Sequence, residues 1–382
     1  MSKRLGNLVD PHEVIDAHGA DAFRWYYLAS QQPWAGYRFS AETVGESVRQ
    51  FLLTLWNTYS FYVMYANAEG VDPVRPPAAP GGDGYVAPGG AAEQFDRWAV
   101  SRLQATTEIV REALDDFDST TAGKAVAAWV DELSNWYVRV GRRRFWEGDP
   151  AALGTLRHCL VETAKLLAPF IPFLADAIYV NLTAGTEAED GLSVHLTDYP
   201  APDPSLRDPS LEEGVEAARR AVELGRAARA QAKVKMRQPL AKAVIVATES
   251  ERATIEGFAE VVRAELNVKA LEFVTEAGEL ASYTVKPNYR ALGPRFGRQM
   301  PQVAAAIEAL DPDHARAAIA GERVIGITID GADHTLLPDD MTLVMEPLEG
   351  YQVESEAGRA VALALELDDE LIREGLAREI VR

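Results

Sequence analysis

Between residues 42 and 167, apolar side chains return at three- and four-residue steps in four successive stretches, and only helices packed on one another bury stripes of that period. Val48, Phe51, Leu52, Leu55, Trp56, Tyr59 and Val63 mark the first, predicted from Glu42 to Ala66 with Ser40 as its N-cap and Gly70 and Pro73 as stop signals. The second, Ala92 to Phe117, carries Phe95, Trp98, Leu103, Ile109, Val110, Leu114 and Phe117. A third starts at Ser119 or Thr120 and presents Val126, Trp129, Val130, Leu133, Trp136, Tyr137 and Val140. The fourth opens near Pro150, carries Leu153, Leu156, Leu160, Leu166 and Leu167, and bends where Pro169 and Pro172 interrupt it. Four such helices predict an antiparallel bundle, each buried aromatic or leucine contributing roughly 1.5 to 3 kcal/mol before chain entropy is subtracted.

The flanks read differently. From Pro11 to Ser30 short helices are expected, with Asp10 as N-cap and Pro11 at the first helical position, and Asp21 and Arg24 close enough to pair. Asp72 to Gly90, crowded with Pro, Gly and Ala, reads as an exposed loop, and Gly191 to Tyr199 as a short extended piece. Pro200, Pro202, Pro204 and Pro209 then suggest a linker and a domain boundary. Beyond it Leu211 to Ala232 is a helix. Strands are expected at Lys242–Ala247, Ala270–Val274, Tyr283–Lys286, Arg323–Asp330, Thr342–Pro347 and Ala360–Leu367. Helices are expected at Glu251–Leu266, Arg298–Ala309, His314–Ala320 and Asp368–Val381. The fold class is multidomain α and α+β: a helical bundle followed by a mixed α/β domain, with one strand-helix-strand unit and later antiparallel strands.

Composition limits the chemistry. A formal charge of −20 over 382 residues argues against indiscriminate coating of nucleic acid, so any RNA contact must use local basic patches. The single Cys159 excludes a disulfide framework and a Cys-rich zinc site, and fits a reducing cytoplasm. The apolar run Phe51–Trp56 is far shorter than the roughly 20 residues of a membrane span. The six His are scattered, no catalytic triad or paired carboxylate stands out, and no metal site is expected.

Two basic segments stand out in this acidic background. The third helix ends in Trp136, Tyr137, Arg139, Arg142, Arg143, Arg144 and Trp146, where arginines three or four apart are flanked by aromatics. Guanidinium forks hold phosphate and stack on bases, so this is the leading RNA surface; cations near a helix C-terminus, paired with Asp131, Glu132 or Glu147, are the other reading. Arg226, Arg229, Lys233, Lys235, Arg237 and Lys242 form an island with no acid between Leu224 and Thr248, suited to backbone contacts or to a solvated helix end. Lys286, Arg290, Arg295 and Arg298 form a further cluster, open to either RNA contact or a role in the fold.

Several stretches carry a resemblance. Met1-Ser2-Lys3-Arg4-Leu5-Gly6-Asn7 is similar to the Lys-Met-Ser-Lys-Ser nucleotide loop of class I aminoacyl-tRNA synthetases, without its leading Lys and with Arg for the last Ser. Gly19-Ala20-Asp21-Ala22-Phe23-Arg24-Trp25 resembles the branched-chain members. Val234-Lys235-Met236-Arg237-Gln238-Pro239-Leu240 and Glu265-Leu266-Asn267-Val268-Lys269 resemble the isoleucyl-tRNA synthetase family in particular. The resemblance implies a C-terminal portion in three parts: 1–40, the end of the catalytic domain with its loop and connector; 41–200, an anticodon-binding bundle; and 201–382, an α/β junction domain. In the whole enzyme, Ser2, Lys3 and Arg4 would face the phosphates of ATP with Mg²⁺. Isoleucine would join its tRNA through an aminoacyl-adenylate. The family's nucleotide fold and editing insertion precede this loop, so the chain alone is expected to be inactive. Its expected partners are the isoleucine-accepting tRNA and the missing N-terminal domains, in a cytoplasmic monomer. Trp136, Arg139, Arg142, Arg143, Arg144, Trp146, Lys233, Lys235 and Arg237 are the expected tRNA contacts. A non-catalytic interaction module or a valyl-enzyme fragment remain the alternatives; the valyl enzyme would be expected to end in a coiled-coil arm, which the region after Lys242 does not resemble.

Overall fold

The computed structural model describes residues 10–30, 32, 34, 39–72, 75–186, 192–275, 281–356 and 359–380. Its contacts separate into two units, Met1–Glu213 and Gly214–Arg382, with the division inside helix Pro209–Gln231. The first unit is a helical bundle and the second mixes helices with sheet.

In the first unit Asp10 caps helix Pro11–His18 by accepting the His12 amide at 2.9 Å. Helix Ala20–Ala29 follows directly. Ser40 and Thr43 form a reciprocal capping box for the next helix, which runs as Ala41–Ser47, a π-helical turn Val48–Leu52, and Leu53–Ala68. That wider turn buries neighbouring Phe51 and Leu52, with Phe51 stacked on Trp25 at 3.7 Å between centroids. Helices Gly90–Asp115, Ser119–Glu132, Pro150–Leu167 and Pro172–Thr183 complete the bundle. Trp98, Leu103, Trp129, Leu156 and Ile178 lie in its core. The buried Trp129 indole donates to Thr163 Oγ1 at 2.8 Å, so its polar edge costs nothing.

Several local expectations change. Asp21 and Arg24 do not pair; each turns to a helix end instead. Asp21 accepts the amide of Leu174 at 2.7 Å, at the start of Pro172–Thr183. Arg24 donates to the carbonyls of Phe170 (3.1 Å) and Pro169 (2.5 Å), just past Pro150–Leu167. An anion at an N-terminus and a cation at a C-terminus is the arrangement helix dipoles favour. The 72–90 loop is exposed over residues 81–84 and 86–90, as expected, but its 76–80 stretch packs: Ala79 is buried, and Ala78 lies so close to Gly154 that a Cβ there would sit 2.2 Å from its carbonyl oxygen. Phe117 leaves the apolar stripe, because the helix ends at Asp115 and a left-handed turn (φ 60°) swings its ring to 95% exposure. Trp56 and Ile109 are also exposed. Val194–Leu196 forms a 3-10 turn, not an extended piece; His195 is exposed there and its Nε2 lies 3.1 Å from the Pro172 carbonyl oxygen. Gln104 accepts the Asp203 amide and Ser101 the Asp208 amide, fastening the 200–209 segment to Gly90–Asp115.

In the second unit, strands β1 (Leu240–Val246), β2 (Val268–Val274), β7 (Tyr351–Glu356) and β8 (Arg359–Ala364) form one sheet in the order β2-β1-β8-β7. β1 and β2 are parallel, with Lys242 opposite Ala270, as their strand-helix-strand connection requires. β8 runs antiparallel to β1, Val244 facing Ala362. The crossover is two helices, Glu249–Gly257 and Ala259–Leu266, broken at Phe258, rather than one. β3 (Ala281–Pro287) pairs with β6 (Met341–Pro347), and β4 (Ile325–Ile329) with β5 (Ala332–Leu336). Helices Tyr289–Phe296, Met300–Glu308 and Pro312–Ala320 enclose a second core of Leu292, Val303, Ile307, Ile327 and Leu336. Tyr289–Phe296, β5 and β7 were not legible in the sequence pattern.

Candidate nucleic-acid interface

The arginine segment sits where the third bundle helix changes pitch. Asp118 caps Ser119–Glu132 through the Thr121 amide at 2.9 Å, and the helix widens into a π-turn over Leu133–Val138. One residue more per turn lets Trp136, Tyr137 and Val138 all face inward. Gly141 then allows a tight bend, since a Cβ there would meet the Tyr137 carbonyl oxygen at 2.9 Å. The short helix Arg142–Trp146 follows.

This bend sorts the expected contact residues. Trp136 is 3% exposed and belongs to the core. Arg139 is half-buried, its guanidinium 5.8 Å from the Trp136 ring centre. Arg144 turns inward and donates to Asp96 through both Nη atoms at 2.7 and 2.8 Å, and to Asp149 through Nε at 2.6 Å. Asp96 is fully buried and also accepts the hydroxyls of Tyr137 (2.7 Å) and Tyr85 (3.2 Å). Burial, reinforced by the Asp96 charge, pushes both phenols above their usual range, so they remain donors. Arg142, Arg143 and Trp146 point outward. The Arg142 guanidinium lies 6.0 Å from the Trp146 ring centre, Trp146 is 60% exposed, and Arg143 meets Glu147 at 2.7 Å across a pair open to solvent. Such a pair is screened by solvent and exchanges readily for another anion. Glu132 instead engages Arg102 at 3.0 Å, and Asp131 accepts from Asn135.

The second basic segment divides in the same manner. Arg226 pairs with Glu265 at 2.5 Å and Lys242 with Glu272 at 2.8 Å. Arg229 is 1% exposed and pairs with no carboxylate among the described residues: Nε donates to the Leu266 carbonyl, Nη1 to those of Lys235 and Gln238, and Nη2 to that of Asn267, at 2.8 to 3.1 Å. Burial draws its pKa down to about 10, so it is still charged at neutral pH. Lys233, Lys235 and Arg237 are exposed, with Lys235 3.4 Å from Glu379. In the third cluster Arg295 pairs with the buried Asp340 and donates to the Thr335 carbonyl at 2.8 Å, so it holds a turn in place. Ser2, Lys3 and Arg4 lie outside the described residues. Among the described residues no group of three His, Cys, Asp or Glu is placed to hold a metal ion, and no helix is long and apolar enough to cross a membrane.

The family model described as the anticodon-binding domain of tRNA ligase matches residues 96–245. Over its full length the chain is 44% identical to isoleucine–tRNA ligase of Cutibacterium acnes, 42% to that of Streptomyces coelicolor and 40% to that of Thermus thermophilus. The chain matches isoleucine–tRNA ligases from end to end, and spans 36% of the length of each of these curated relatives.

Proposed function

We propose that this chain is the tRNA-binding, C-terminal portion of an isoleucine–tRNA ligase, made of a connector (1–40), an anticodon-binding bundle (41–200) and an α/β junction domain (201–382). The observation that carries this is the exposed corner formed by Arg142, Arg143 and Trp146. Two exposed cations can take phosphates there, while an open indole offers a stacking face for an unpaired base. Trp136 and Arg144 support the corner from beneath, Arg139 flanks it, and Lys233, Lys235 and Arg237 supply a second set of phosphate contacts. In the whole enzyme, ATP with Mg²⁺ would supply the activated phosphoanhydride, with Ser2, Lys3 and Arg4 beside it. The 382 residues alone are expected to bind tRNA as a monomer without activating isoleucine, and the whole enzyme to work in the cytoplasm.

The test is binding of the chain to an isoleucine tRNA transcript and to a non-cognate tRNA over a range of salt. The wild-type chain should prefer the isoleucine tRNA. Replacing Arg142 and Arg143 with Gln removes two phosphate contacts and should lower the slope of log K against log salt by roughly 1.4 to 1.8. Unchanged affinity and slope would remove the corner from the interface. Pyrophosphate exchange with isoleucine and ATP should stay at background.

A further inference from the structure

Helix Pro209–Gln231 closes with a Schellman turn: the Val234 amide bonds to the Arg229 carbonyl at 3.0 Å and the Lys233 amide to the Ala230 carbonyl at 3.1 Å. This turn puts its C′ residue in the left-handed region, where glycine is the unstrained choice. The C′ residue here is Lys233, at φ 55°. An L side chain in that conformation is disfavoured roughly five- to thirtyfold. Among the described residues neither Lys233 nor Arg237 has an ion-pair partner, so no ion pair with those residues offsets the strain at Lys233.

The loop that follows is held from below. Arg229 gathers four carbonyls, two of them, of Lys235 and Gln238, from the loop itself, and two, of Leu266 and Asn267, from the turn leading into β2. Asn267, also left-handed at φ 49°, donates its side-chain amide to the Met236 carbonyl at 2.8 Å and accepts from Arg378 at 2.5 Å. Gln238 reaches the Leu371 carbonyl at 2.8 Å. The buried Arg229 takes the Lys235 and Gln238 carbonyls, while the side chains of Lys233, Lys235 and Arg237 are exposed. Charges of both signs face them from helix Asp369–Ile380: Glu379 lies against Lys235, and Glu374 is shared by Lys269 and Arg378.

We propose that Arg229 is a positioning residue that presets the 233–238 loop as a rigid phosphate-binding surface for tRNA, and that Lys233 keeps its left-handed backbone because its ammonium is needed there. The proposal rests on the reading of this loop as an RNA contact and adds how the contact is built. Preorganisation matters because a mobile loop would lose part of its binding free energy in ordering three long side chains.

The experiment uses the full 382-residue chain and an isoleucine tRNA transcript, with the slope of log K against log salt as readout and circular dichroism and thermal melting as the folding check. Replacing Lys233, Lys235 and Arg237 together with Gln should lower the slope by roughly 2 to 2.7. Arg229→Lys keeps the charge but cannot span four carbonyls. It should lower the slope toward that of the triple variant, and combining the two should add little. Asn267→Gly, which accepts the left-handed backbone and deletes the Met236 contact, tests the same claim if Arg229→Lys does not fold. Lys233→Gly should melt at the same temperature or roughly 2 to 4 °C higher, while its slope falls by roughly 0.7 to 0.9. If the triple variant binds as the wild type does, the loop is not an RNA contact. If the triple variant weakens binding while Asn267→Gly, and any folded Arg229→Lys, keep the wild-type slope, the positioning role is overturned. If Lys233→Gly binds as the wild type does, the claim for Lys233 is overturned.

Discussion

Replacing Arg144 with Gln tests the division between inward and outward arginines most directly. Arg144 makes two parallel bonds to Asp96 and one to Asp149, and its side chain is 17% exposed while that of Asp96 is 0%. Removing one partner of a buried pair costs about 3 to 5 kcal/mol, because the remaining charge keeps its desolvation penalty. Here the lower end applies, since Tyr137 and Tyr85 still donate to the Asp96 carboxylate. A loss of about 3 kcal/mol corresponds to a fall of roughly 6 to 12 °C in melting temperature for a unit of this size. All seven tryptophans lie at or before Trp146, so tryptophan fluorescence follows this unit alone during urea or thermal unfolding. Arg142→Gln, by contrast, should change stability by less than about 0.5 kcal/mol, as surface substitutions do. The two variants must differ in kind: Arg144→Gln destabilises the unit and weakens RNA binding only through the corner it supports, whereas Arg142→Gln lowers the RNA salt slope without destabilising. A loss under about 1 kcal/mol for Arg144→Gln would refute the buried network as the support of this corner.

Three further outcomes follow from the first unit. Gly154→Ala drives a Cβ against the Ala78 backbone carbonyl, which cannot swing aside as a side chain would, and should cost about 1 to 3 kcal/mol in the same fluorescence assay. Phe117→Gly removes a ring that is 95% exposed and relieves a left-handed backbone, so stability should hold or rise by about 1 kcal/mol; a clear loss would mean that the ring is buried in solution. His158 has its Nε2 enclosed without a hydrogen-bond partner among the described residues, and burial pulls its pKa below 6.5 against the opposing pull of Glu162. The folded state therefore prefers the neutral ring: the contribution is whole above about pH 6.5 and is lost as the pH falls below it. His158→Phe should flatten the stability profile between about pH 7.5 and 5.5, and an unchanged slope would discount this histidine.

What could be read from the sequence was whatever depends on period. The bundle stripes and most strands of the second unit follow from spacings of three to four residues and of two, and the structure keeps them with shifted ends. Directions at the ends of elements could not be read. Phe117 continues the stripe of Gly90–Asp115 in sequence yet lies beyond the turn that ends that helix, and Trp136 fits both an aromatic flank of the arginines and the core of a π-turn. β5 and β7 escaped because Ala332–Leu336 and Tyr351–Glu356 are short and polar, and take their strand form from the partners they pair with.

The same reasoning explains how a chain with 58 acidic and 38 basic residues could meet the proposed RNA partner. Most of its arginines answer to carboxylates or carbonyls within the fold, as Arg102, Arg226 and Arg295 do, so they contribute no attraction at a distance. Sequence spacing treats Arg142, Arg143 and Arg144 as equivalent, and Arg229 as equivalent to Lys233. In each unit one arginine turns inward and binds the segment that displays its neighbours: Arg144 joins the bend after Gly141 to Asp96 and Asp149, and Arg229 holds the carbonyls of the loop after Lys233. Charge reversal of an outward cation should therefore act on RNA alone. Loss of an inward one should act through the geometry of the others, and the difference is measurable as coupling between the two substitutions.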